Sequence, residues 1–245
     1  MRLILVEALT FARRLARRRI VVTTLLLDTA VLAWAVFVSP VSSLQSALAA
    51  AQGLGELTTL VLASGCVADD RSCARLVLCA THPAPRSAWI LGRWLAVGAT
   101  AVVVTVVVGV VAALAGPGLQ PSGAFALGVV AAALHVTALA ALAVALSTGA
   151  GGTGQVLALL GLLVIGLVPP EVVAGALNAT WAEPITRFAW AVLPAPWALD
   201  RLQAWALGAE GPHPLLALAL LGQTPLWLAA GTRAIARAEL GARSL

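Results

Sequence analysis

At 245 residues, 61% hydrophobic and 10% charged, the chain is far from the roughly 45–50% apolar and 25% charged composition of a soluble domain. A mean hydropathy of +0.99 places it among integral membrane proteins. Its net charge of +5 would suggest nucleic acid in a soluble protein, but here the basic residues, all arginine, are arranged by membrane topology, which leaves no nucleic-acid reading.

Residues 1–19 carry Leu3, Ile4, Leu5, Leu9, Phe11 and Leu15 at helical spacing, with arginines gathering toward the end. This predicts an amphipathic helix in the headgroup layer with its arginines on anionic lipid, or else a cytoplasmic extension of the first span. Apolar runs follow at Ile20 to Val38, Ser46 to Cys66, Trp89 to Ala115, Gly123 to Ser147, Gly154 to Val168 and Pro214 to Ile235. Each is near the roughly 17–25 residues that cross a hydrocarbon core, the fifth being short. The expected fold is therefore an all-α polytopic membrane protein, one transmembrane domain over residues 1–245 with six transmembrane helices. Every arginine except Arg187 and Arg201 falls on one side of six alternating spans, so the positive-inside rule puts both termini in the cytoplasm. The basic N-terminus runs into a long apolar stretch without a small-residue cleavage site and is read as retained.

Two carboxylates interrupt the first two spans, Asp28 and Glu56. A charge at mid-bilayer costs roughly 2.5–3.5 kcal/mol on insertion scales, so each is expected to face protein or a wet cavity. They are candidates to line a pathway or carry a proton; the alternative is a protonated carboxyl hydrogen-bonded to a neighbouring helix. His135, midway along the fourth span, reads as a packing or hydrogen-bonding residue. Cys66, Cys73 and Cys79 match no zinc spacing and read as packing residues on a reducing face. No metal site is expected. The glycine cluster from Gly149 to Gly154 is no P-loop, because a chain without lysine cannot supply that motif's phosphate contact.

Residues 169–213 form an outer segment, with Pro170, Pro184 and Pro196 each opening a short apolar run as proline does at a first helical position. Two or three short helices at the outer interface are expected. Trp181, Trp190, Trp197 and Trp205, like Trp34, Trp89 and Trp94 elsewhere, would serve as belt anchors.

The largest wet stretch lies at residues 67–88, between the second and third spans. Asp69, Asp70, Arg71 and Arg75 are followed by Leu76, Val77 and Leu78, too short a run for another span, and then by the His82-Pro83-Ala84-Pro85 stop. This predicts a short cytoplasmic amphipathic helix ended by the prolines. The segment from Trp89 to Trp94 leads back into the bilayer, with Gly92 allowing close helix approach.

Acidic residues, a short apolar helix ending before proline, then apolar-apolar-Gly-basic opening a helix: this order resembles the permease subunits of type-2 ATP-binding-cassette transporters. The matching residues are Ala68-Asp69-Asp70, Leu76-Val77-Leu78, Thr81-His82-Pro83 and Ile90-Leu91-Gly92-Arg93-Trp94-Leu95. The six spans, the N-terminal helix and the outer segment with Leu193-Pro194 extend the likeness along the chain. It departs where the family often has glycine after the acidic residues and serine before the proline, and in Arg93, where lysine is usual.

The resemblance implies that Asp69 to Ala80 is a coupling helix seated in a separate ATPase subunit. Asp69, Asp70, Arg71, Arg75, Leu76 and Leu78 would make the contact, and the N-terminal helix would be the connecting helix. It implies two ATPase copies, which bind ATP and magnesium, so that this chain needs no cofactor of its own. It further implies a second permease copy or paralogue, export across a bacterial inner membrane, and Asp28 and Glu56 beside the central pathway. A non-transporting scaffold or sensor on the same fold and a haem-export-like permease of cytochrome c maturation are alternatives. A membrane enzyme fits less well, since His82, His135 and His213 are scattered and neither Gly-x-Ser-x-Gly nor His-Glu-x-x-His occurs.

Overall fold

A computed structural model describes residues 2–16, 43–64, 66, 86–116, 122–149 and 152–242, together with 23, 26, 29 and 30. Among the described residues there are nine helices and no strand. They are α1 (Arg2–Ala16), α2 (Leu44–Ala63), α3 (Arg86–Ala115), α4 (Gly123–Ser147), α5 (Gly152–Gly166), α6 (Pro170–Leu177), α7 (Ala182–Val192), α8 (Pro196–Ala206) and α9 (Pro214–Ala242).

Helix starts follow local chemistry. Ser43 caps α2 through a reciprocal box: its hydroxyl accepts from the Ser46 amide at 3.1 Å, and the Ser46 hydroxyl accepts from the Ser43 amide at 3.2 Å. Ser122 caps α4 by accepting from the Phe125 amide at 3.3 Å. Proline opens α6 and α8, where its missing N–H has no intrahelical partner to lose. Pro184 sits at the third position of α7, still inside that free first turn. Asn178 ends α6 at φ 49°, a left-handed cap that its short side chain tolerates.

Among the described residues, four helices are long and apolar enough to cross a membrane: α2, α3 from Ser87, α4, and α9 as far as Arg237. They coincide with the expected second, third, fourth and last spans. The expected fifth does not run straight. Thr153–Gly166 and Pro170–Leu177 meet at an 89° bend, because Pro170 can neither donate to the preceding turn nor fit against it. Fifteen residues of α5 reach about 22 Å, short of a hydrocarbon core. Counted with α6 as one broken span, it makes up to five candidates. The expected first span, with Asp28, lies almost wholly outside the described residues.

α4 is the axis of the bundle and packs against α2, α3, α5, α8 and α9. It is apolar on every side; Ala138 to Val144 is an unbroken buried run, while Leu127 and Val130 in its first half are exposed. α2 and α3 close around its first half, where Gly55 of α2 lies so near α3 that an added Cβ would strike the Thr105 hydroxyl. α1 lies on the start of α3 and buries Ala8, Phe11 and Leu15, a stripe at helical spacing. Its neighbouring Leu5 and Leu9 stay exposed, as do Arg13 and Arg14. An interfacial helix has this arrangement of faces.

Candidate functional site

Glu56 sits twelve residues into α2 and His135 twelve residues into α4 (44 to 56, 123 to 135). The two helices run in the same direction in the expected alternation, so equal offsets give equal depth, about 18 Å from either start. His135 Nε2 and Glu56 Oε1 are 2.9 Å apart, and the same oxygen accepts from Gln52 Nε2 at 3.0 Å. His135 is 1% exposed and Glu56 13%. The hydrogen bonds to His135 and Gln52 offset the cost of burying a polar side chain there. Glu56 thus has the neighbouring-helix hydrogen bond that was one reading of it, and it keeps a narrow accessible edge for the other.

A second acid, Asp200, comes from the outer segment. α8 packs against α4, and Leu199 and Leu202 line a small cavity together with His135. The helix therefore dips to the middle of α4. Asp200 itself is exposed, yet the surrounding protein pushes its carboxyl above its ordinary value of 3.8, first by desolvation and then by the Glu56 carboxylate, with His135 acting the other way. Sequence reasoning left Asp200 among the surface charges of the outer segment. The signal available was the apolar Leu199 and Leu202 beside it, which turn that stretch of α8 inward.

A second constellation joins α1 to the start of α3. Gly92 touches α1 so closely that an added Cβ would lie 2.7 Å from Glu7 Cβ and 3.2 Å from the Ala8 amide nitrogen. One turn along, the Arg93 guanidinium lies over the Phe11 ring of α1 at 4.2 Å and the Trp89 ring at 4.7 Å. Arg93 is buried, although the sequence counted it with the topology charges. A planar guanidinium can stack on two rings where an ammonium cannot, which accounts for arginine at this position.

Several tryptophans do other work than belt anchoring. Trp89 and Trp190 are buried. Trp190 Nε1 donates to the Val168 carbonyl at 3.1 Å, Trp227 Nε1 to Val192 at 3.1 Å, and Trp94 Nε1 to Thr137 at 3.0 Å. Val192 is the last residue of α7, whose carbonyl needs an outside donor, and Val168 lies in the bend after α5. Trp181 remains exposed, as an anchor should be. Gln223 does similar work, donating from Nε2 to Ala191 at 2.9 Å and Leu193 at 3.1 Å. Cys66 lies 3.3 Å from the Ser147 hydroxyl.

Asp69, Asp70, Arg71, Arg75, Leu76 and Leu78 all lie outside the described residues, as do Cys73 and Cys79. Among the described residues no group of three or more His, Cys, Asp or Glu is placed to hold a metal ion. No protein-family model matches the chain, and no curated protein matches it.

Proposed function

We propose that this chain is the membrane-spanning permease subunit of an ATP-binding-cassette exporter. It works with two copies of a separate ATPase subunit and a second permease in a bacterial inner membrane, with both termini cytoplasmic. The observation that carries the reading is the seat of α1 on α3 at Gly92 and Arg93. These residues stand directly after the stretch expected to dock on the ATPase. α1 and the first turns of α3 therefore form one packed body, and a push on the docking stretch reaches the bundle without being absorbed by a loose joint.

In this reading ATP binding draws the ATPase subunits together, and the two permeases exchange between two arrangements biased by that distant ligand. α2 and α3 pack on each other and on α4, so displacement of α3 reaches the Glu56–His135 pair. That pair is a polar feature at mid-depth that a pathway would use. Asp28, if it lines the same path, would come from the first span.

The test is the ATP hydrolysis rate of a candidate ATPase subunit in complex with this chain. Reversing charge by Asp69→Arg, Asp70→Arg and Arg75→Glu should lower the permease-dependent rate about tenfold, equivalent to about 1.4 kcal/mol of coupling. An unchanged rate would remove the docking claim. A scaffold or sensor has no need of a polar centre, so intact function in Asp28→Asn and Glu56→Gln would favour that reading.

A further inference from the structure

Gln52 Nε2 donates to Glu56 Oε1 at 3.0 Å, so that oxygen is an acceptor, and His135 Nε2 meets it at 2.9 Å as a second donor. A neutral imidazole with its hydrogen on Nε2 has a bare Nδ1, which accepts. Gln223 of α9 supplies another acceptor. Its Nε2 donates to the Ala191 and Leu193 carbonyls at 2.9 and 3.1 Å, which fixes the orientation of the amide. Oε1 is left buried, with no donor to it among the described residues, in a side chain 3% exposed. An acceptor so placed is costly unless something donates to it.

His135 and Gln223 line the same small cavity between α4, α7, α8 and α9, whose remaining wall is apolar, with Leu199, Ala219 and Leu220. Its volume is about 10 Å³, room for a single water. Water fits the site in chemistry as well as size, since it has two hydrogens to give, one for each acceptor. The cavity also has a neighbour. Ala191 of α7 and Leu216 of α9 stand in its wall and in the wall of an open cavity of about 550 Å³ in the outer segment. Glu171, Arg187 and Arg201 face that larger cavity, and charged groups of this kind keep their solvation only where water reaches them. Two side chains therefore separate a wet cavity from the site beside His135.

We propose that the small cavity holds a water through which the Glu56–His135 pair exchanges protons with the outer cavity. The sequence starts from a carboxylate and an imidazole with its hydrogen on Nε2. A hydronium formed in the small cavity gives a proton to Nδ1, and the Nε2 proton passes to Glu56 Oε1. The products are a water, a protonated Glu56 and an imidazole with its hydrogen on Nδ1; the reverse sequence discharges the acid. Gln223 Oε1 orients the water by accepting its other hydrogen. The inference does not rest on the transporter reading, because it concerns this chain alone and holds equally for a scaffold or sensor.

The test is replacement of the His135 Cε1 hydrogen by deuterium, followed by mass spectrometry of peptides from the full chain kept in neutral detergent and heavy water. That replacement needs protons on both ring nitrogens and water at the ring, so it reads the two features together. His213, with 35% of its side chain exposed, is the comparator. Although His135 is 1% exposed, it should exchange within about tenfold of His213. Ala219→Val fills the small cavity and should slow His135 about tenfold while leaving His213 unchanged. Leu216→Ala widens the passage between the cavities and should speed His135 about tenfold. The double variant should be slow again, an order that loosening of the fold cannot produce. A parent rate for His135 further below that of His213 would overturn the proposal. So would an unchanged rate in Ala219→Val, or a double variant as fast as Leu216→Ala alone.

Discussion

The α2–α3–α4 core and the outer segment α6–α8 both carry acid–base pairs, yet they handle charge in opposite ways. In the core, Glu56 has Gln52 and His135 on a single oxygen, and the imidazole is 1% exposed. In the outer segment, Arg187 meets two acids with 54% of its own side chain in the open. The first arrangement fixes helices at one depth and makes each partner indispensable. The second leaves ions exchangeable, which suits a surface open to water.

His135→Ala should show the largest effect. It strips Glu56 of its cross-helix partner and opens a void between α2, α4 and α8, at a cost of about 3 kcal/mol or more, read as a fall in thermal midpoint in detergent. Glu56→Gln keeps a hydrogen-bonding group and should cost about 1 kcal/mol. If His135→Ala were as mild as an outer ion-pair variant, the contrast between the regions would fail.

Overpacking comes next. Gly55→Val drives a side chain into Thr105 and should cost about 1–3 kcal/mol. Gly53, two residues away with nothing near its missing Cβ, should gain about 0.5–1 kcal/mol as Gly53→Ala. Equal outcomes in the two glycine variants would contradict the close approach of α2 to α3.

Asp200→Asn sharpens the boundary between the regions. The folded protein raises the Asp200 carboxyl above its unfolded value, so it favours the neutral form. The stabilising contribution of that form is complete below the unfolded value and is lost as pH rises through the folded one. The asparagine variant should therefore be more stable than the parent at pH above the folded value, and the gain should vanish in acid. A pH-independent difference between the two midpoint curves would place Asp200 away from Glu56. The smallest effect belongs to Arg187→Gln, an exposed pair whose loss should cost under about 1 kcal/mol of stability.

The four straight spans were legible because length and apolarity decide them, and α4 was read to its terminal residues. The bend after α5 was half legible. Pro169-Pro170 marked the end of a span, but only packing determines that the chain turns 89° there. Glu56 stood out as a carboxylate in an apolar run, and Gln52 is its neighbour at four residues. Its pairing with His135 was hidden, since it depends on two helices starting in register. Arg93 looked like a surface charge because nothing local says which face of α3 is covered, whereas Asp200 is exposed. Trp190 looked like an anchor because its acceptor, the Val168 carbonyl, belongs to another element.

The most direct measurement is recovery of a co-expressed candidate ATPase subunit with tagged full chain, for charge reversal in the docking stretch against charge reversal in the outer segment. The account predicts that Asp69→Arg, Asp70→Arg and Arg75→Glu together lower recovery about tenfold, while Arg187→Glu leaves it at the parent level. Equal recovery for both variants, or loss confined to Arg187→Glu, would contradict it.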